Sequence, residues 1–172
     1  MPEQPWRHPR PAPELSELRA RTPAPRSFVI ARSWWPALLW ALVIFSLSTD
    51  LFSAEHTGRV LEPVLRWVYP SISIETFLLI HHLIRKTAHF TEYFIFCVLL
   101  YRGVRGTGIG WRWSWGLGAL FIAAAYSALD EVHQAFVASR TASPYDSLLD
   151  SVGAFFAVTA IFLWYRIRTT QR

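Results

Sequence analysis

The chain has 172 residues, of which 52% are hydrophobic and 16% aromatic, and its mean hydropathy of +0.24 is too high for an ordinary soluble domain, so a membrane protein is the leading class. A formal charge of +5 and a pI of about 9.9 would suit nucleic acid, but the charges fall in blocks between apolar runs, so no nucleic-acid partner is expected. The single cysteine, Cys97, excludes an intramolecular disulfide and a cysteine-based zinc site.

Residues 1 to 32 carry seven of the eleven prolines and six arginines with little to bury, and read as a disordered, basic, proline-rich cytoplasmic tail. Residues 33 to 49, SWWPALLWALVIFSLST, hold no charge and are just long enough for a tilted bilayer crossing at ~1.5 Å rise per residue. A cleaved signal peptide competes, with Ser46 and Ser48 as small residues at suitable spacing, but the long leader is unlike a compact n-region.

Between residues 50 and 85 the pattern predicts two short amphipathic helices, one with Leu61, Val64, Leu65 and Val68 on a stripe and one with Phe77, Ile80 and Ile84. Pro70 separates them, and both would lie on the membrane surface or cap the bundle. Three further spans are expected at about 87 to 102, 113 to 129 and 147 to 165. The predicted fold is therefore all-α: an integral membrane four-helix bundle over residues 33 to 165, with short interfacial helices between helices one and two, and a basic cytoplasmic C-terminus from 166 to 172.

The tail, the 102 to 112 loop and the C-terminal end carry most of the arginines, whereas residues 50 to 86 and 130 to 146 carry Arg59, Arg66, Arg85, Lys86 and Arg140 among most of the carboxylates. The positive-inside rule then places both termini in the cytoplasm. Trp34, Trp35, Trp111, Trp113, Trp115 and Trp164 flank the basic blocks, as an interfacial aromatic belt should.

This topology gathers ionisable residues at the outer ends of helices two, three and four. In KTAHFTEYF, Lys86, His89, Phe90 and Tyr93 share a helical face with Glu92 beside it. In DEVHQAF, Asp130 and Gln134 are four apart, and Glu131 and His133 continue the turn. Arg140 follows in a loop, Pro144 can open helix four, Asp146 and Asp150 are one turn apart, and Gly153 allows close helix approach. Charge inside a bilayer is costly, about 2.5–3.5 kcal/mol on insertion scales, so these groups should pair and face the bundle interior.

A metal site can be drawn from His89, Glu92, Asp130, Glu131 and His133, but spacing selects no ion, and neither a metal nor a cofactor is assigned. His81, His82 and His133 read as wet interfacial residues. There is no internal repeat and no glycine-rich phosphate loop, and four helices without a broken-helix signature give a proton-coupled transporter little support.

KTAHFTEY, then DEVHQAF, then Arg140, Asp146, Asp150 and Gly153, with FSLSTD at the end of helix one, resemble the VanZ-like family of small bacterial membrane proteins over residues 35 to 160. The resemblance implies a multi-pass membrane protein, from a family whose founding member is associated with reduced susceptibility to the glycopeptide teicoplanin. Relatives commonly carry Asn where this chain has Asp150, which adds a buried charge in need of a partner.

The reading that follows is an outer-face polar pocket that recognises or modifies an envelope component, a lipid-linked cell-wall precursor or a lipid headgroup. His89, Glu92, Asp130 and Glu131 would supply proton transfer. Lys86, Tyr93, Gln134, Arg140 and Asp146 would hold the ligand, with Asp150 and Gly153 structural. Membrane lipids, and a precursor or glycopeptide-related ligand, are the expected partners; the oligomeric state is open. The alternative is a noncatalytic membrane scaffold whose polar residues only hold the helices together.

Overall fold

The computed structural model describes residues 26–49, 53–137 and 143–171, which form five helices and, among the described residues, no strand. They are α1 (Arg26–Leu47), α2 (Ala54–Val68), α3 (Ile74–Arg105), α4 (Trp113–Gln134) and α5 (Pro144–Thr170). Most of the expected tail, and Arg140, lie outside the described residues.

α1 begins at Arg26, ahead of the expected residue 33, because nothing in RSFVIAR stops a helix. Ser53 opens α2 by accepting from the His56 amide, and Glu55 and Arg66 sit at the helix ends where the macrodipole favours them. Glu62 and Arg66 pair one turn apart at 2.9 Å, and Glu55 pairs with Arg59. None of its residues is fully buried, so α2 lies along the bundle rather than in it.

The two short helices expected before span two are not both separate. Ser73 caps a single helix of 32 residues that absorbs the second of them and runs on through the expected span to Gly106. Pro70 lies before this helix starts, and nothing between Ile74 and Arg105 interrupts the backbone. At ~1.5 Å per residue α3 is ~48 Å long, well over the ~30 Å of a hydrocarbon core, so part of it projects past the bundle. It ends at Gly106, whose φ of 55° is a left-handed conformation that glycine adopts readily.

Pro144 occupies the first turn of α5, where its missing amide proton costs nothing, as the sequence suggested. α5 continues to Thr170, so the basic C-terminal stretch is largely helical rather than a separate tail.

α3 is the centre of the bundle and touches all four other helices. Its Tyr93, Phe96, Cys97 and Leu100 pack on Ala119 and Ala123 of α4, Ala154 and Ala157 of α5, and Ala37 and Ile44 of α1. Small residues on α4 and α5 let the backbones approach closely; a methyl group on Gly153 would stand 2.4 Å from the Phe90 carbonyl oxygen. The outer surface is apolar, with Leu38, Leu42, Leu117, Phe121, Phe155 and Leu163 all more than half exposed.

Of the four expected spans, two helices are long and apolar enough to cross a membrane, through Ile30–Leu47 and Pro144–Thr170. The central run of α3 is diluted by Lys86, Glu92, Arg102 and Arg105, and α4 by its tryptophans, serines and terminal carboxylates.

Candidate functional site

One end of the bundle is joined by buried carboxylates, each supplied with donors from a neighbouring helix. Asp130 Oδ2 accepts from Ser48 Oγ, in the turn that follows α1, at 2.8 Å and from Gln134 Nε2, one turn along α4, at 2.9 Å. Asp150, wholly buried on α5, accepts from Ser127 Oγ of α4 at 2.8 Å, and Ser127 Oγ lies 3.0 Å from Ser147 Oγ. The other carboxylate oxygen of Asp150 stands 3.3 Å from His89 Nδ1 of α3. Lys86 donates to Asp146 and so ties α3 to the first turn of α5.

Glu131 caps α5 from outside, its Oε2 accepting the Ser143 amide at 2.8 Å, while its Oε1 is buried without a hydrogen bond. Burial pushes this carboxyl above the ordinary glutamate range; the Ser143 amide opposes the shift and the nearby aspartates reinforce it. Tyr93 is fully buried against Phe96.

Beside this seam a groove of about 480 Å³ opens between the end of α1, α2 and α3. Leu47, Val60, Leu61, Val64, Ile84 and Ala88 make its apolar walls. Its polar lining comes from Ser48, His56, Thr57, His81, Arg85, His89 and Glu92. Thr57 Oγ1 and His81 Nε2, 3.0 Å apart, hold α2 against α3, and Phe77 stacks on the His81 ring at 5.9 Å. Burial, aided by Arg85 and His82, holds the His81 imidazole below its ordinary pKa. Asp146 and Glu92 are close enough to act electrostatically on the Arg85 guanidinium.

Of the residues singled out in the sequence, the groove takes His89 and Glu92. Asp130, Gln134, Glu131, Lys86, Asp146, Asp150 and Tyr93 make the seam behind it, and Gly153 lets α5 approach α3. Among the described residues no three His, Cys, Asp or Glu side chains stand together as a set able to hold a metal, so the five-residue constellation is not assembled. The His133 ring instead packs on Phe45 at 4.7 Å. His81 is buried rather than wet.

Sequence reasoning missed Arg85, His81, His56 and Thr57 in the groove, and Ser127 and Ser147 behind it. The spacing His81, Arg85, His89 is a helical face at i, i+4, i+8, and becomes visible only when residues 74 to 105 are read as one helix.

A family model described as VanZ/LLP1 matches residues 31–165. No curated protein and no solved structure matches the chain. The family match and the two apolar helices together point to a membrane protein.

Proposed function

Because the chain belongs to the VanZ/LLP1 family, we propose that it is a multi-pass protein of a bacterial cell membrane whose groove receives an amphiphilic envelope component, a lipid-linked cell-wall precursor or a lipid headgroup. The observation that carries this reading is the groove's division of labour. One wall, built from Val60, Leu61, Val64 and Ile84, suits a hydrocarbon chain, while His81, Arg85, His89 and Glu92 on a single face of α3 suit a polar head. Arginine's planar fork favours phosphate or carboxylate, and His89 and Glu92 are the groove's candidates for hydrogen bonding or proton transfer to it. Arg140, which lies outside the described residues, belongs to the same proposal as a second anion ligand.

Four spans are supported by the apolar exposure of Leu117, Phe121 and Leu129 on α4, which in a bilayer would face lipid, and by the packing of α3 between α1 and α5. Both termini are placed in the cytoplasm on the strength of the arginine blocks, which makes the groove extracytoplasmic. Loss of the protein would then change the envelope and, with it, susceptibility to a glycopeptide such as teicoplanin.

The scaffold reading has its own support, because Asp130, Asp150 and the Lys86–Asp146 pair are engaged with neighbouring helices. We assign those residues to holding the bundle, and the groove to the ligand.

Ala88 lines the groove on the exposed side of α3, so Ala88→Trp fills the space without disturbing the core. Protein purified in mild detergent should retain a phosphate-bearing lipid in its extract, and Ala88→Trp should lose it with an unchanged melting temperature. A wild-type extract matching bulk membrane lipid, with deletion leaving cell-wall precursors and lipids unaltered, would sink the proposal.

A further inference from the structure

His89 and Asp150 present an unusual pair of atoms. His89 Nδ1 and Asp150 Oδ1 are both buried, stand 3.3 Å apart and, among the described residues, have no other hydrogen-bond partner, so each is the other's means of satisfaction. Asp150 is fixed from behind, because it is wholly buried and its second oxygen is held by Ser127. The His89 side chain is 15% exposed, its Nδ1 is fully covered, and the residue lines the groove.

We propose that Asp150 is a positioning residue: it accepts a hydrogen bond from the Nδ1–H of His89 and so keeps the ring proton on Nδ1, which leaves Nε2 bare toward the groove as the acceptor for a hydroxyl or other protic group of a bound headgroup. A carboxylate on one ring nitrogen settles which tautomer a neutral imidazole adopts, and thereby what the other nitrogen offers. Ser127 completes the arrangement by keeping the carboxylate from rotating away. The groove so equipped reads a ligand that carries a hydroxyl or a protonated phosphate near its charge, more narrowly than an apolar slot with an arginine would. Glu92, which also lines the groove and stands on the same helix, can only accept when ionised.

This rests on the groove being a binding site, but the tautomer can be read with no ligand present. Full-length protein labelled with 15N at histidine, in detergent and at a pH high enough to keep imidazoles neutral, should show a His89 ring with a protonated Nδ1 and a pyridine-type Nε2. The signal is assigned by its loss in His89→Gln. Asp150→Ala should abolish the preference; Asn is unsuitable because its side-chain carbonyl still accepts. A wild-type His89 carrying its proton on Nε2, or a folded Asp150→Ala protein with unchanged His89 shifts, would overturn the proposal. If Asp150→Ala fails to fold, the wild-type spectrum alone decides. A bare Nε2 in a protein that retains no lipid would leave the pair standing and remove the ligand reading instead.

Discussion

At one end of the bundle the helices are joined by carboxylates and hydroxyls at hydrogen-bond distance; at the other they are joined by rings. There Tyr101 stacks on Trp111 at 5.5 Å, Trp111 meets Phe162 at 5.5 Å, and Arg168 lies 4.2 Å over Trp164. Trp111 Nε1 finds no hydrogen-bond partner among the described residues, and the polar link across α3 and α5 at that end is Arg105 donating to the Tyr165 hydroxyl. Ring contacts tolerate small shifts and suit anchoring at an interface, whereas a carboxylate bonded across helices fixes position and direction. The groove, with His56, His81 and His89 in its walls, lies on the carboxylate side. The difference separates an end packed by rings from the end that carries the proposed ligand site.

The largest effect expected from this contrast is all-or-none. Ser71, in the turn before α3, and Thr107, in the turn after it, are both exposed and lie at opposite ends of that helix. In a Cys97→Ala background, Ser71→Cys should react with a membrane-impermeant thiol reagent on intact cells, and Thr107→Cys should react only after permeabilisation. Labelling of Thr107→Cys from outside would invert the assignment and place the aromatic end, not the groove, at the envelope side.

A smaller effect sharpens the same contrast in packing. A methyl group at Gly153 meets the Phe90 carbonyl oxygen at 2.4 Å, a backbone atom that cannot retreat without moving α3 against α5. At Gly103 the obstacle is the Trp34 ring at 2.9 Å, a side chain rather than backbone and therefore the less costly of the two to displace. Overpacking typically costs about 1–3 kcal/mol, while alanine for glycine within a helix returns up to about 1 kcal/mol. Gly153→Ala should therefore lower the melting temperature in detergent clearly, and Gly103→Ala should leave it near wild type. Equal losses would mean that the two ends are equally rigid.

Much of this asymmetry can be read from the sequence. The arginine and tryptophan blocks mark one end, and Lys86, His89, Asp130, Asp146 and Asp150 mark the other because charges in an apolar run need partners, with Gly153 marking a close helix approach. What could not be read was which partner each would find. Serine 48 and serine 127 look like ordinary residues in apolar helices, and their value as donors to Asp130 and Asp150 appears only when three helices are brought together. The groove stayed hidden for a different reason. Its face runs from His81 through Arg85 to His89, across the point where hydropathy changes from amphipathic to apolar, and a change in hydropathy is not a break in a helix.

The Lys86–Asp146 pair should give the smallest effect and bears most directly on whether the carboxylate end is structure or site. Its side chains are 30% and 19% exposed, so the pair is partly solvated and should contribute within the ~0.2–1 kcal/mol of accessible ion pairs. Asp146 also stands in the first turn of α5, where a negative charge meets the positive end of the helix dipole and gains about 0.3–1 kcal/mol more. Lys86→Ala should thus lower stability slightly. Asp146→Lys should lower it further, by placing two ammonium groups together and a cation at a helix N-terminus. Adding Lys86→Asp to Asp146→Lys restores the attraction but not the dipole term's sign, so the double variant should fall between the single Asp146→Lys variant and wild type in a detergent melt. Lipid retention should survive in Lys86→Ala, since Lys86 does not line the groove. If Lys86→Ala instead melts like wild type and loses its lipid, the lysine serves the ligand rather than the bundle, and the site extends from the groove into the carboxylate seam.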